Sequence, residues 1–562
     1  MYLRTTRRKN KDGSVVEYYQ LAHNERDPVT KKPIARIIHS FGRADELDRD
    51  QLVRLCHSIA RVCGVQIIDP LTNLEGSPSD NHLGLPNNLK LIGTMALGTP
   101  FTIEALWERL GIGKMFRDIC KKQKCKVPYE RALLAMVANR LCEPESKLGV
   151  WDRWLQKVYM PSCQSLKLDH MYEAMDLYHE HSEEVEKQIF NQTANLFNLQ
   201  VDLIFYDTTT ASFSIDYEDE EDSGEESFRK FGYCKEGGWG PQVVVALAVT
   251  REGLPVKSWV FPGNTADVTT VKKIRADLRG WNLNRAIFIA DSGMNSADNR
   301  AELSRACGKY LLASRMAGLA EIKREVLTRR GRYTVLRDNL QAKEVIVGDG
   351  ECRRRYILCY NPKEAERQSK HRENIVAFLE RELESHPSRK ATAQWAIDLL
   401  ASSRYKRYLT ISKSNNIRID RGSIREAEKY DGKWVIETND DTISLEDAAC
   451  GYKGLMVIER CFRSLKRTQI KMTPMFHWVR RRIETHVKIC VLALLLERVA
   501  EISCGEPWSR IRRNLEQIQI SHFITNEYSF YRRNEIPVAA RNVLKKLNIA
   551  PPKPVDGLEK RS

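Results

Sequence analysis

The segment between residues 200 and 315 most constrains the fold, because apolar runs and helical patterns alternate there in a definite order. The run 201–206 is apolar except for one residue, which is typical of a buried strand. The runs 242–250 and 255–262 are strand-like and flank a short glycine-containing turn. Together they predict a β-hairpin that follows the first strand.

The second half of this segment alternates helices and strands. The spacing of apolar residues predicts helices at 267–278 and 296–306, and short apolar runs predict strands at 286–290 and 310–313. The complete order is strand, hairpin, helix, strand, helix, strand, which is similar to that of ribonuclease-H-like domains. Right-handed crossovers would make the later strands parallel to the first. We therefore expect an α/β fold with a ribonuclease-H-like mixed sheet as its core.

The charge of the chain suggests a polyanionic partner. There are 90 Lys and Arg residues against 74 Asp and Glu residues, which gives a formal net charge of +16. Nucleic acid is the commonest partner of such a basic protein. The charge alone, however, supports equally well a basic protein that has no anionic partner.

Other features of the composition favour a cytoplasmic protein. The N-terminus lacks the apolar core of a signal peptide. The longest apolar stretch near the C-terminus, 487–496, is too short to span a bilayer. The 14 cysteines include no Cys-x-x-Cys pair, so we interpret them as reduced thiols in a reducing compartment.

Two aspartates each follow an apolar run of the predicted core. Asp207 follows the first strand and Asp291 follows the strand at 286–290. We predict that both lie at the carboxyl ends of neighbouring parallel strands, which would place their carboxylates side by side. Such carboxylates repel each other unless a cation lies between them, and a hard divalent ion such as Mg²⁺ prefers oxygen ligands.

A third carboxylate is expected from a helix packed across these strands. Tyr452, Glu459 and Lys466 are spaced by seven residues, nearly two helical turns, so they would share one face of a helix. Two metal ions about 3.5–4 Å apart, held by three carboxylates, can activate a nucleophile and stabilise a leaving oxygen in phosphodiester cleavage. Lys466, with Arg460 and Arg463 in the same basic stripe, could bind DNA phosphates.

Simpler interpretations remain open for each residue taken singly. An aspartate that ends a strand is usually a turn or helix cap, and Glu459 with Arg463 could form a surface ion pair. Asp216 and Asp219, in the acidic run 216–226, are the main rivals of Asp207. The three carboxylates in the expected chain order favour a catalytic site over these alternatives.

Four separated motifs resemble those of insertion-sequence transposases of the DDE type. They are DTTT at 207–210, FGYCK at 231–235, GNTAD at 263–267 and ADSGM at 290–294. The resemblance is to the branch that has a β-rich insertion before the last acidic residue. The tail resembles the YREK signature of that branch, with Tyr452, Leu455, Glu459 and Lys466 at its four positions. Leu455 stands where the signature has Arg, and Arg460 or Arg463 could supply that charge.

The resemblance implies a specific enzyme. Asp207, Asp291 and Glu459 would be catalytic and would hold two Mg²⁺ ions, with Mn²⁺ able to substitute. Double-stranded DNA would be the partner, contacted by Tyr452 and the basic stripe. The enzyme would bind terminal inverted repeats, cleave at the element ends and join them to target DNA as a homodimer or higher multimer. It would be a prokaryotic, nucleoid-associated protein.

Two other functions are compatible with the same residues. One is a ribonuclease-H-like nuclease that cuts DNA without strand transfer. The other is a non-catalytic DNA-binding protein derived from a transposase. A strand-transfer assay separates the first from a transposase, and metal-independent function would favour the second.

The length of 562 residues predicts two to four domains, since single cores stop growing at about 250–300 residues. We predict a small β module with a helix at 47–63 and a linker (1–85), a helical DNA-binding region that could equally be a plain scaffold (86–200), the first part of the catalytic core (201–315), a β-rich insertion (316–443), the second part of the core with the Glu459 helix (444–500), and a basic C-terminal tail region with helical character (501–562).

Overall fold

The computed structural model describes residues 2–9, 15–26, 33–43, 59, 89–197, 201–219, 227–283, 285–350, 353–386 and 388–561. The chain forms two compact units, 1–85 and 86–562. Within the described residues of the first unit, three antiparallel strands form one sheet in the order β1-β2-β3: β1 (Tyr2–Lys9), β2 (Val15–Arg26) and β3 (Pro33–Arg43). This confirms the predicted β character. The predicted helix at 47–63, apart from the helical Ile59, and the predicted linker lie outside the described residues.

The second unit begins with one strand and a group of helices. Its first elements are β4 (Lys90–Ala96), α1 (Gly98–Arg109), α2 (Ile112–Lys122), α3 (Tyr129–Cys142), α4 (Leu168–Glu180) and α5 (Ser182–Leu196). The helical patterns that the sequence predicts here are confirmed, and their apolar side chains form part of the largest core cluster. The strand β4 was not predicted, because five of its seven residues are exposed and it has no buried apolar alternation.

The strands and helices predicted for 200–315 are all present, together with one short strand, β6 (Lys230–Tyr233), that was not predicted. They are β5 (Leu203–Ser212), β6 (Lys230–Tyr233), β7 (Trp239–Val249), β8 (Pro255–Pro262), α6 (Asp267–Gly280), β9 (Ile287–Ala290), α7 (Ala297–Ser304) and β10 (Tyr310–Ser314). The strands β7, β5, β9 and β10 are consecutive neighbours in the sheet, and β6 and β8 both pair with the other side of β7. β9 is parallel to β5 and to β10, while β7 is antiparallel to β5, so the predicted mixed α/β sheet is confirmed.

The insertion contributes strands to this same sheet. The next elements are β11 (Thr334–Arg337), β12 (Leu340–Val347), β13 (Arg354–Tyr360), α8 (Pro362–Ser385), α9 (Gln394–Ala401), β14 (Leu409–Ile411), β15 (Ile417–Ile419), α10 (Arg421–Glu428) and β16 (Lys433–Thr438). β16 pairs antiparallel with β10 and with β13, so the sheet reaches ten strands in the described part of the chain. The elements between β13 and β16 have a small apolar core of their own.

The chain then crosses the sheet and returns to the start of the unit. The remaining elements are α11 (Leu445–Lys453), α12 (Met456–Arg463), α13 (Arg480–Cys504), α14 (Trp508–Leu515), β17 (Gln519–Ile524), β18 (Tyr528–Arg533), α15 (Val538–Lys546) and β19 (Val555–Lys560). α11 packs on β9 and β10, and α12 packs on β5 and β7. The C-terminal strands form a sheet with β4 in the order β19-β18-β17-β4. Among the described helices, none has both the length and the apolar content of a membrane span.

Candidate active site

Asp207 lies within a strand and does not end one, so the predicted strand end was wrong. β5 continues to Ser212, and Asp207 is opposite Leu247 in the ladder with β7. The three threonines after Asp207 are buried and β-branched, and residues of this shape extend a strand well. The polar hydroxyls of these threonines led to the prediction that the strand ends before them. Their backbone groups nevertheless continue the pairing with β7.

The strand register brings the two aspartates to the same level of the sheet. In the parallel pair β5–β9, Leu203 is opposite Ile287 and Phe205 is opposite Ile289. Continued by two residues, this register places Asp207 beside Asp291, which immediately follows β9. The two aspartates are therefore neighbours because of register, and not because both strands end there.

The carboxylate of Asp207 lies in an unfavourable electrostatic environment. Its pKa is raised from the usual value to about 6, mainly because burial penalises the charged form. The Lys235 ammonium and the backbone N–H of Thr208 lower this pKa, while the carboxylates of Asp267 and Asp291 raise it. A positive charge placed between Asp207 and Asp291 would therefore stabilise both ionised groups.

A polar network that was not predicted from the sequence contacts β5 on the face of the sheet opposite to the Asp207 side chain. The Thr208 hydroxyl donates to Asp267 Oδ1 at 2.6 Å, and Lys235 Nζ lies 3.1 Å from Asp267 Oδ2. Lys235 Nζ also donates to the Thr208 carbonyl at 2.8 Å. Lys235 is the last residue of the FGYCK motif, and Asp267 is the last residue of the GNTAD motif. Both motifs therefore end in a charged residue, and this was the signal in the sequence that could have indicated the network.

Tyr452 connects the last helices to the two aspartates. Its hydroxyl donates a hydrogen bond to Asp291 Oδ1 at 3.3 Å. Its pKa is raised well above the usual range, first by burial and then by the carboxylates of Asp291, Glu459 and Asp207. All three predicted carboxylates therefore lie within electrostatic range of one phenol.

The helix that carries the signature residues is interrupted, so the prediction of one continuous helix was wrong. α11 ends at Lys453, α12 begins at Met456, and a π-helical turn begins at Ser464. The interruption falls at Gly454, where the backbone approaches the buried ring of Phe205 so closely that a Cβ atom would lie 2.7 Å from its Cζ atom. A helix predicted from seven-residue spacing takes no account of such a contact with the sheet.

Lys466 nevertheless reaches the face of β5 that carries Asp207. Its Nζ atom lies 3.3 Å from the hydroxyl of Thr209, two residues beyond Asp207 and therefore on the same face of the strand. It also lies 3.2 Å from Glu236, and burial lowers its pKa. A buried ammonium beside the aspartates is suited to binding an anionic oxygen.

The other predicted residues are more loosely arranged. Glu459, Arg460 and Arg463 are exposed on α12, and Leu455 packs against the apolar core. Leu455 therefore offers no polar group at the signature position, whereas the two arginines are accessible. Among the described residues, no three His, Cys, Asp or Glu side chains come together closely enough to hold a metal ion.

The two rivals of Asp207 have different surroundings. The carboxylate of Asp219 accepts hydrogen bonds from the backbone and from the side chain of Arg229, at 2.9 and 2.6 Å. Asp216 is exposed, and residues 220–226 of the acidic run lie outside the described part of the chain. Asp219 is therefore engaged by an arginine, which leaves Asp207 as the better candidate for a metal ligand.

The donor atoms of this site fit a hard divalent cation. Asp207 and Asp291 offer carboxylate oxygens, the ligand type that Mg²⁺ and Mn²⁺ prefer. The raised pKa of Asp207 reflects buried negative charge, and a cation would offset this charge. Glu459 is close enough to affect the Tyr452 phenol, so it is the third carboxylate available on this side of the sheet.

Comparison with known families identifies the class of protein. The model of the transposase DDE domain matches residues 208–496, more than half of the chain. The match begins within β5, directly after Asp207, and includes Asp291 and the Glu459 helix. The model of the IS1634 family transposase N-terminal domain matches residues 3–66. The chain belongs to the DDE transposases of insertion sequences.

A solved structure of low overall similarity also matches this chain. The chain is similar to a solved structure described as a cryo-EM structure of piggyBac transposase in a synaptic complex with hairpin DNA. The two share 10% sequence identity, with 69% of this chain and 70% of that chain covered and a TM-score of 0.32, which is too low to support an argument. Among curated proteins, none matches this sequence.

Proposed function

We propose that this chain binds the terminal inverted repeats of an insertion sequence, cleaves DNA at the element ends and joins those ends to target DNA. The observation that carries the proposal is the pairing of Asp207 and Asp291 at one level of the sheet. Asp291 lies within the residues that the DDE domain model matches, and Asp207 lies immediately before them. The strand order, with a hairpin on one side of β5 and two parallel strands on the other, supports a ribonuclease-H-like core. Function rests on the site, because this fold alone supports many activities.

Three carboxylates would hold the metal ions. We propose Asp207, Asp291 and Glu459 as ligands of two Mg²⁺ ions, with Mn²⁺ as a substitute. When bound, such ions lower the pKa of a nucleophilic water or 3′-hydroxyl and stabilise the leaving oxygen. Unscreened carboxylates repel one another, so we expect the ions to draw Glu459 towards the aspartates.

The neighbouring side chains would position the site and the DNA. Tyr452 orients Asp291 through its hydrogen bond, while the Thr208–Asp267–Lys235 network holds β5 from the opposite face. Lys466 provides a fixed positive charge for the phosphate beside Asp207.

A wider surface would bind the rest of the DNA. The exposed side chains of Arg460 and Arg463 would contact the backbone next to Tyr452 and Lys466. We propose that the helical region 86–200 reads the element ends. Two ends must be joined in one event, so we expect a homodimer or higher multimer on DNA, in a prokaryotic cytoplasm close to the nucleoid.

Strand transfer is the test of this proposal. Duplexes with pre-cut element ends, taken from the inverted repeats that flank the gene, are incubated with a supercoiled plasmid and Mg²⁺. We expect the 3′-hydroxyl ends to be joined to the plasmid, with no joining when the divalent ion is chelated or when the repeat sequence is scrambled. Cleavage without joining would support a nuclease instead, and binding without either reaction would support a non-catalytic DNA-binding protein.

A further inference from the structure

A second cationic site lies outside the carboxylate cluster. A cavity of about 510 Å³ opens between the end of α3, the turn that follows it, α4, the segment 471–477 and α13. The polar side chains that line this cavity are mainly basic or aromatic, and we call the cavity the basic pocket. Its principal lining residues are Arg140, Lys147, Tyr172, Lys471, His477 and His486.

Lys147 is a buried amine without a counterion. The residue is 4% exposed, and it has no ion pair with any residue in the described part of the chain. Its Nζ atom lies 3.3 Å from Nδ1 of His486, whose Nε2 atom lies 2.9 Å from the Met472 carbonyl. Nε2 must therefore donate, and Nδ1 accepts from Lys147. Burial, together with Arg140, lowers the pKa of Lys147 to about 7.

The other groups of the basic pocket do not neutralise this charge. Arg140 is also 4% exposed, donates to the carbonyls of Lys471 and Glu145, and has a buried Nε atom without a hydrogen-bond partner in the described structure. Burial, Lys147 and nearby arginines lower the pKa of His477 to about 3. Glu145 lines the pocket, but its carboxylate accepts a hydrogen bond from Arg153 at 2.7 Å.

This arrangement is costly unless an anion enters the pocket. A charged Lys147 loses hydration and gains no ion pair in return, and the positive charge of the buried Arg140 adds to this cost. A phosphate group would supply several acceptor oxygens to the Lys147 ammonium, and its negative charge would be stabilised by the nearby Arg140 guanidinium. It would also raise the pKa of Lys147, and so keep the lysine charged.

The surroundings of the pocket indicate a phosphate of a DNA strand. The lining segment 471–477 begins three residues after the π-helical turn that carries Lys466. Phe476 also lines the pocket and is 64% exposed, and an exposed aromatic ring beside a basic site is a common platform for a nucleic-acid base. On the basis of the proposed function, we propose that the basic pocket binds a backbone phosphate of the element-end DNA, with the neighbouring base stacked on Phe476.

The salt dependence of DNA binding tests this proposal. Binding of Lys147→Met and wild-type proteins to an element-end duplex is measured without divalent ions over a salt series. Loss of one phosphate contact is expected to weaken binding and to reduce the slope of log K against log salt by about 0.9. The matched control is Lys157→Met, because Lys157 is an exposed lysine 3.7 Å from Glu143 and is expected to keep the wild-type slope. Equal slopes for all three proteins would overturn the proposal.

A measurement on the wild-type protein covers the case in which the variant does not fold. Pyridoxal 5′-phosphate carries a phosphate and an aldehyde that condenses with lysine amines, and borohydride reduction fixes the label. We expect Lys147 to be labelled in free protein and protected by element-end DNA, with Lys157 unaffected by the DNA. Protection of Lys147 by inorganic phosphate but not by DNA would overturn the assignment to DNA.

These outcomes are separable from those that test the proposed function. A protein that joins element ends, and whose Lys147 neither affects the salt slope nor is protected, would overturn only the inference about the basic pocket. A wild-type protein that does not bind element ends would overturn both proposals.

Discussion

Asp291→Asn is expected to reduce cleavage at the element ends by roughly 1,000-fold, or about 4 kcal/mol of transition-state stabilisation. The substitution removes a carboxylate charge but keeps the side-chain shape and leaves an amide oxygen that can still accept from Tyr452. Affinity for the ends should change little, because the basic side chains that would contact DNA are untouched. Single-turnover cleavage with Mg²⁺ and equilibrium binding without it measure the two properties separately.

The matched control for this variant is Asp298→Asn. Asp298 is an exposed aspartate of α7, seven residues further along the chain, and has no place in the proposed site. Its variant should cleave at the wild-type rate. Full cleavage by Asp291→Asn would refute the assignment of this carboxylate.

Gly454→Ala should both destabilise the protein and impair cleavage. A Cβ atom at this position would lie 2.7 Å from Phe205 Cζ and 2.9 Å from the Gly451 carbonyl oxygen. Phe205 is buried in β5, so the helices that carry Tyr452 and Glu459 would have to move away from the sheet. Overpacking of this kind costs about 1–3 kcal/mol. The free energy of unfolding in urea and the cleavage rate should fall together.

Gly451→Ala provides the comparison, since it adds the same methyl group three residues earlier. A Cβ atom there would lie 3.5 Å from Leu311 and 3.6 Å from Leu203, which is ordinary van der Waals contact. An alanine within a helix is favoured over glycine by up to about 1 kcal/mol, so this variant should be as stable as the wild type or more so. If the two variants were equally stable, the close packing of Gly454 on Phe205 would not be the feature that fixes the helices.

Local patterns in the sequence were sufficient to predict the elements of the central sheet. Apolar runs predicted β5, β7, β8, β9 and β10, and their order predicted which strands are parallel. The joining of the insertion to this sheet was not predictable in the same way. β10 and β16 are separated by more than 100 residues, and nothing in either strand indicates its partner. The pairing of β4 with β17 could not be predicted from the sequence for the same reason.

The sequence indicated which residues form the candidate site, but it did not indicate how the strand and the helices arrange them. The order of the acidic residues indicated Asp207, Asp291 and Glu459, but Asp207 lies within its strand because buried threonines continue it. Spacing suggested one continuous helix from Tyr452 to Lys466, whereas the helix is interrupted at Gly454, where the backbone lies close to Phe205 of the sheet. Such contacts depend on tertiary structure, which residue spacing does not encode.

Anomalous scattering from Mn²⁺ in crystals of the protein with element-end DNA tests most directly whether the three carboxylates share a metal centre. The account predicts two manganese peaks, each about 2.1 Å from carboxylate oxygens, with Asp207, Asp291 and Glu459 all contributing ligands. Manganese held by other side chains, or by the two aspartates while Glu459 remains apart on α12, would contradict the account.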